Sequence, residues 1–359
     1  MTVEMDAKNE DRRAVAGELM AAEIAEQPEV WRRLLADGPE AGLAEAIAAI
    51  REQQPRMVLL VARGTSDHAA LYAKYLIEIE LGLPAGLVSP STMTAYGTQP
   101  DLRDVLMLGV SQSGGSPDLV RCIEVGRAGG ALTVAVTNNA ASALATAAHH
   151  HVDVLAGAER AVAATKSYTA QLLALHELLM GVRGNPDGSV ASLPDLGSVL
   201  VERDADIAAL AVRYRFAQRL LTTGRGYSYA TAREAALKLM ETAYVSAQAF
   251  SGADLLHGPL ALVEPQVPVL AVVADGVGGD AMGAALARLR ELDADVCVIG
   301  RPEAVAAAAT GIALPPGVPE RLSPILEILP LQQLARHVAV DRGGDPDAPR
   351  GLRKITETL

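Results

Sequence analysis

The feature that most limits what this chain can fold into is an internal duplication. Arg63-Gly64-x-Ser66 returns as Arg225-Gly226-x-Ser228, 162 positions later. The apolar run 105–110 returns as 268–273, and 133–136 returns as 296–299, both 163 positions later. A near-constant offset carried through three apolar runs marks a repeat rather than chance likeness of apolar segments. In the first copy the strand-like runs are 57–62, 87–89, 105–110, 132–137 and 152–155, separated by loops or by helical patterns such as 68–81. Strands alternating with helices predict parallel βαβ units. In the second copy a helix near 201–216 precedes the first strand, at 220–223.

The copies differ at one loop. After the run 105–110 comes Ser111-Gln112-Ser113-Gly114-Gly115-Ser116, followed by Pro117 and a helical pattern. Three hydroxyls, an amide and two glycines at a strand-to-helix turn suit an anion, because helix N-termini present unpaired N–H groups and glycine lets the backbone approach. No lysine lies in the loop, so it is not the nucleoside-triphosphate P-loop. The second copy has Ala274-Asp275-Gly276-Val277-Gly278-Gly279, without a hydroxyl and with a carboxylate that repels phosphate. The expectation is a phosphate site in the first copy that the second has lost.

Composition sets outer bounds. With 359 residues the chain is long enough for two domains, and only 3% of it is aromatic, so Ala, Val, Leu and Ile must build the core. A net charge of -12 argues against a nucleic-acid partner. Cys122 and Cys297 sit in apolar segments and read as buried thiols of a reducing, cytoplasmic compartment. The polar first ten residues predict no secretory signal, and no apolar run reaches membrane-span length, so no membrane partner is expected. No His/Cys group has metal-ligand spacing, so no metal is expected. His149-His150-His151 reads as a solvated helix end.

By pattern and composition the chain divides into a helical lead-in (1–53, with breaks at Pro28 and Gly38-Pro39), a first domain (54–183), a Gly/Pro-rich linker (184–198), a second domain (199–340) and a tail (341–359). Glu234, Lys238 and Glu241 fall at i, i+4 and i+7 on a helix beginning near Thr231, hence on one face. The rest of that helix is apolar, so its charged face can line a pocket instead of meeting solvent.

Several motifs together resemble the sugar isomerase (SIS) family. They are Glu23-Ile24-Ala25-Glu26-Gln27-Pro28, Arg63-Gly64-Thr65-Ser66, Ser111-Gln112-Ser113-Gly114, and Val162-Ala163-Ala164-Thr165-Lys166. The second half adds residues 234–241 and Leu256-His257-Gly258-Pro259-Leu260-Ala261, and the tail adds Asp347-Ala348-Pro349-Arg350-Gly351-Leu352-Arg353-Lys354. The resemblance is to the isomerase half of glucosamine-6-phosphate synthase and to SIS-type glucosamine-6-phosphate deaminases. It implies an α/β fold of two tandem SIS domains, each a five-stranded parallel sheet flanked by helices in the flavodoxin-like manner.

The resemblance also implies site residues. Thr65, Ser66, Ser111, Gln112, Ser113 and Ser116 match phosphate and sugar contacts, with Arg63 and Gly64 beside them, and Val162, Ala163 and Thr165 match a loop along the sugar. Glu241 matches the group that moves a proton at C1 and C2, supported by Lys238. His257 matches a ring-opening histidine contributed by the neighbouring subunit, which implies a homodimer. Lys354 matches a lysine on a C-terminal lid that reaches the C1–C2 region and can form a Schiff base. Such proton transfer needs no cofactor. The implied function is an enzyme on an amino-sugar 6-phosphate: a deaminase giving fructose 6-phosphate and ammonia, an isomerase, or a dehydratase that expels the C3 hydroxyl of an N-acetylated substrate. A non-catalytic sugar-phosphate sensor is the other class, but it has no need of Glu241, His257 and Lys354 together. With no cysteine before Cys122, glutamine-dependent synthesis by this chain alone is not expected. Departures from the synthase pattern are Arg63 for cysteine, Met240 for lysine, Asp254 for glutamate and Ala164 for serine.

Overall fold

The computed structural model describes residues 15–354 except Pro186 and Gln266. The remaining tail residues, 355–359, lie outside the described residues. Two five-stranded parallel sheets are formed. The first contains β1 (Met57–Val61), β2 (Ala85–Leu87), β3 (Val105–Ser111), β4 (Leu132–Thr137) and β5 (His150–Asp153), in the order β2-β1-β3-β4-β5. The second contains β6 (Arg219–Gly224), β7 (Ser246–Ser251), β8 (Pro268–Val273), β9 (Asp295–Gly300) and β10 (Thr310–Ala313), in the order β10-β9-β8-β6-β7. Read within each sheet both orders are 2-1-3-4-5, so the duplication seen in the sequence is a duplication of topology. In such sheets the chain runs outward in both directions from between the first and third strands, and ligands bind at that switch point beyond the carboxyl ends. β1 pairs with β3 from Met57↔Val105 to Val61↔Gly109, so the loops after β1 and β3 leave the sheet side by side.

The helices that follow the two equivalent first strands, Thr65–Leu76 and Ser228–Ala243, pack on each other. A long helix, Ser323–Asp341, packs against the second of them. One continuous apolar cluster runs through both halves, from Val58 and Tyr168 to Leu220, Leu270 and Ile325. Burying this surface is the main stabilising term. Cys122 and Cys297 are free and buried, and burial pushes both thiols up to about 11. Among the described residues no helix is long and apolar enough to cross a membrane.

Three local readings of the sequence are corrected. His149-His150-His151 is not a solvated helix end: His150 opens β5, and the rings of His149 and His151 bond the hydroxyls of Thr133 and Thr137, each at 2.8 Å. The stretch 184–198 is helical from Gly188 onward, with a 3₁₀ turn at Gly188–Ser192 leading into a helix at Leu193–Val201. Its Gly197 is a contact point, since a β-carbon there would strike the ring of buried Trp31. The region 201–216 is broken into a helix at Asp204–Ala211 and a 3₁₀ turn at Val212–Tyr214.

Candidate active site

The loop after β1 carries Arg63 and Gly64. Gly64 has φ +55°, with open space where a side chain would stand, so it turns the chain into the Thr65 helix. Ser66, in the first turn, is buried and accepts a hydrogen bond from Gln171 Nε2 at 3.1 Å. Beside it β3 ends in Ser111, whose Oγ accepts the amide of Gly114 at 3.1 Å. Gly114 has φ +64°, and a β-carbon there would run into the side chain of Ser142. Ser116 sits at the N-cap of the helix Pro117–Ala128 but makes no capping bond with its side chain. Arg63 reaches across this junction: its Nε is 2.8 Å from Oδ2 of Asp118, which is buried in the first turn of that helix.

The second copy of this loop adds what the sequence did not show. Its amides still hold an anion, but one supplied by the chain. Glu320 accepts the N–H of Val277 at 2.9 Å and of Gly278 at 2.7 Å. A second internal carboxylate, Glu327, accepts the hydroxyls of Ser228 and Thr231 at 2.7 Å and of Ser323 at 2.8 Å. Burial pushes Glu327 up, against the pull of those three hydrogen bonds. In the first copy, among the described residues, no side-chain carboxylate hydrogen-bonds the amides of residues 112–116.

The charged face of the Ser228–Ala243 helix points into the junction with the Thr65 helix. Lys238 is fully buried, with Nζ 2.6 Å from Glu241 Oε2, 3.3 Å from Glu234 Oε1 and 3.0 Å from Thr65 Oγ1, to which it donates. Thr65 in turn donates to Glu234 Oε1 at 3.0 Å. Burial alone would lower the Lys238 pKa, but Glu234 and Glu241 outweigh it and hold the ammonium well above its ordinary value. Glu234 is wholly buried, whereas the Glu241 side chain keeps 23% exposure, and among the described residues Oε2 of Glu241 forms no hydrogen bond beyond its ion-pair contact. The i, i+4, i+7 spacing thus gives one buried cation between two carboxylates, only one of which reaches solvent.

The loop 159–165 forms another wall. Glu159 accepts the amides of Thr165 at 2.9 Å and Ser167 at 3.1 Å, and the Ser167 hydroxyl at 2.6 Å, capping the helix Lys166–Arg183. Ala163 is buried and Val162 half-buried, while Thr165 Oγ1 is buried without a hydrogen-bond partner among the described residues. Lys354 reaches this loop from the tail, donating to Glu159 Oε2 at 3.0 Å and to the carbonyl of Ala161 at 2.7 Å. Burial pushes the Glu159 carboxyl up, but Lys354 and the Ser167 and Thr165 hydrogen bonds hold it below its ordinary value. The tail is fixed further back by Asp347, which accepts the amides of Leu19 and Met20 at the start of the helix Glu18–Ala25.

Thr65 and Ser66 therefore stand beside the Ser111–Ser116 loop, Lys238 and Glu241 join Thr65, and Lys354 joins the 162–165 loop. His257 does not join them within one chain. It is exposed at the end of the short helix Gly252–Leu256, and its ring makes no hydrogen bond among the described residues. Four participants escaped the sequence reading as site residues: His68, Asp118, Glu159 and Glu234. Glu234 stood on the charged face with Lys238, and His68 lies one helical turn after Thr65. Nothing in the spacing ties Asp118 to Arg63.

The SIS domain model matches residues 52–181 and 214–341, which together make up most of the chain. The chain belongs to the SIS domain family. This SIS protein is 36% identical, over 93% of its length, to a glutamine–fructose-6-phosphate aminotransferase (isomerizing) of Gloeobacter violaceus, and it spans 58% of that relative. Among solved structures, a protein from Silicibacter pomeroyi assigned as a phosphosugar isomerase superposes with a TM-score of 0.83 at 34% identity, covering 93% of this chain and all of that one. A glucosamine-6-phosphate deaminase from Thermotoga maritima superposes with a TM-score of 0.76 at 21% identity, covering 95% and 100% of the two chains. At that identity the likeness is one of fold.

Proposed function

We propose that this SIS protein deaminates an amino-sugar 6-phosphate, most simply glucosamine 6-phosphate to fructose 6-phosphate and ammonia. The observation that carries the reading is the junction of Thr65 with Lys238 and Glu241. A buried ammonium bonds Thr65, the first residue of the helix that starts beside the first-copy anion loop, and pairs with a solvent-reachable carboxylate. Phosphate would lie on Ser111, Gln112, Ser113 and Ser116, with Thr65 and Ser66 beside it, and Arg63 would meet the phosphate or a sugar oxygen. Val162, Ala163 and Thr165 would run along the sugar. His257 from a second copy would open the ring, as the family resemblance implies, so the working unit would be a homodimer.

Chemistry then follows from proton transfer alone. In the open chain Glu241 takes the C2 proton, leaving an enolamine. Returning a proton to C1 gives a C2 imine, and water hydrolyses it with loss of ammonia. Lys354 stands by the 162–165 loop, where it would assist at C1 and C2. If the nitrogen is acylated it leaves poorly, and the same C2 carbanion equivalent can expel the C3 hydroxyl instead, giving dehydration.

Incubation with glucosamine 6-phosphate, N-acetylglucosamine 6-phosphate and fructose 6-phosphate, followed by mass spectrometry, tests the reading. Fructose 6-phosphate plus ammonia from the free amine supports it. Loss of water from the N-acetyl sugar with the free amine untouched replaces deamination by dehydration. Binding of all three without any product leaves a sensor.

A further inference from the structure

The buried junction contains an asymmetry that the reaction scheme does not use. Lys238 has two carboxylates to choose between and stands nearer to the more exposed one, 2.6 Å from Glu241 against 3.3 Å from Glu234. Electrostatics alone favours the reverse, because a charge is stronger and lonelier where water is excluded, and Glu234 is wholly buried. The difference is that Glu234 has other donors. Thr65 donates to its Oε1, and His68 Nδ1 lies 2.7 Å from its Oε2. A carboxylate only accepts, so His68 Nδ1 must carry the proton in this contact. His68 is itself only 6% exposed and sits one turn along the helix that begins with Thr65.

Resting on the deaminase-type reading above, we propose that His68 is a positioning residue for proton transfer: by donating to Glu234 it leaves Lys238 free to hold Glu241 at the substrate. Without that donor Glu234 Oε2 is a buried, unpaired acceptor, a costly state that the nearest movable donor relieves. The nearest cation is Lys238. As the ammonium moves toward Glu234, Glu241 loses the contact that fixes its carboxylate, and misplacement of a proton-transferring group lowers turnover more than binding. Among the described residues no hydrogen bond joins the side chains of His68, Glu234, Lys238 or Glu241 to residues 111–116, and Thr65 alone links the two, so affinity for the sugar phosphate should change little.

The test compares His68→Leu, which removes the donor, with His68→Asn, whose amide nitrogen can stand where Nδ1 stands. Exchange of the C2 proton with heavy water and the split of kcat from KM are read for wild type and both variants, alongside thermal unfolding. His68→Leu is expected to slow exchange and kcat together by roughly 10–100-fold with KM changed by no more than about threefold, and His68→Asn to recover most of the loss. Should His68→Leu not fold, His68→Phe takes its place, since it keeps a ring in the site but carries no donor. Wild-type exchange with an equal rate in a folded donor-less variant overturns the inference alone, as does an equal loss in the Asn variant. Absence of exchange in the wild type with every amino-sugar phosphate overturns the functional reading, and the inference falls with it.

Discussion

Lys238 of the second sheet's first helix donates to the hydroxyl of Thr65, the first residue of the equivalent helix in the other half, at 3.0 Å. The duplicated elements thus meet at an ion-paired cluster set within the apolar core that both halves share. Lys238→Met should expose the consequence. It leaves Glu234 and Glu241 without their cation, and breaking a buried pair from one side costs about 3–5 kcal/mol. The pH dependence has a definite sign. The folded-state pKa of Lys238 is raised, so its contribution is fully present below the ordinary value of 10.5 and is lost as pH rises beyond it. In urea unfolding the gap between wild type and Lys238→Met should stay constant at neutral pH and narrow above that value. A gap that widens with alkali would contradict the ion-pair account.

The first-copy loop depends on both its hydroxyls and its backbone. Ser113→Ala is expected to weaken binding of 6-phosphorylated sugars by roughly 1–3 kcal/mol, the worth of a hydrogen bond to a charged group, with little change in stability. Gly114→Ala acts otherwise. It forces a side chain into the left-handed region against Ser142, so stability should fall by about 1–3 kcal/mol and phosphate binding with it. Titration calorimetry against a sugar 6-phosphate, together with thermal unfolding, separates the two. Saturating phosphate found at Asp275-Gly276 would sink the assignment, and the geometry argues against it, because Glu320 already occupies the amides of Val277 and Gly278.

How far the fold could be read from sequence follows from where each strand lies. The apolar central strands β3, β4, β8 and β9 announce themselves as continuous hydrophobic runs, because parallel strands are covered on both faces. The outer strands are fainter: the runs read at 87–89 and 152–155 start two residues late on β2 and β5, and no run marks β7 or β10. β5 begins with two histidines and β7 reads Ser-Ala-Gln-Ala-Phe-Ser, since an edge has fewer neighbours to bury against. Gly197 looked like a linker residue because glycine also serves close packing, here on Trp31, and composition cannot tell the two uses apart. Lys238 and Glu241 were legible from helical spacing and family motifs. His68 and Glu159 were not, because their partners Glu234 and Lys354 stand 166 and 195 residues away, and only tertiary structure joins them.

His257 gives a prediction about assembly. Its ring is exposed and unbonded in one chain, while Glu241 and Lys238 lie in the buried junction, so a shared site requires a second copy. Glu241→Gln and His257→Ala should each be inactive alone. Mixed under conditions that exchange subunits, hybrid dimers carry one intact site, and a fraction of wild-type turnover should return. No recovery after exchange has been verified by mass spectrometry would count against a site built from two subunits.

The tail offers the last test, because a single buried carboxylate organises both the 159–165 loop and Lys354. Glu159 caps the helix Lys166–Arg183 through the amides of Thr165 and Ser167 and pairs with Lys354 at 3.0 Å. Glu159→Gln keeps the size and an acceptor oxygen but removes the charge. Stability at neutral pH should drop by about 1–3 kcal/mol, the range for hydrogen bonds to charged groups. The folded-state pKa of Glu159 is lowered, so its contribution is present above the ordinary value of 4.5 and is lost as pH falls through the folded value. Urea unfolding from pH 7 down to pH 3 should therefore show the wild-type advantage shrinking below about 4.5. At neutral pH the variant's tail should also be cut faster by trypsin at Arg353, because Lys354 keeps only its bond to the Ala161 carbonyl, whereas Arg350 stays held by the Tyr244 hydroxyl and ring. An advantage independent of pH, with unchanged cleavage, would mean that Glu159 shapes the loop without holding the tail.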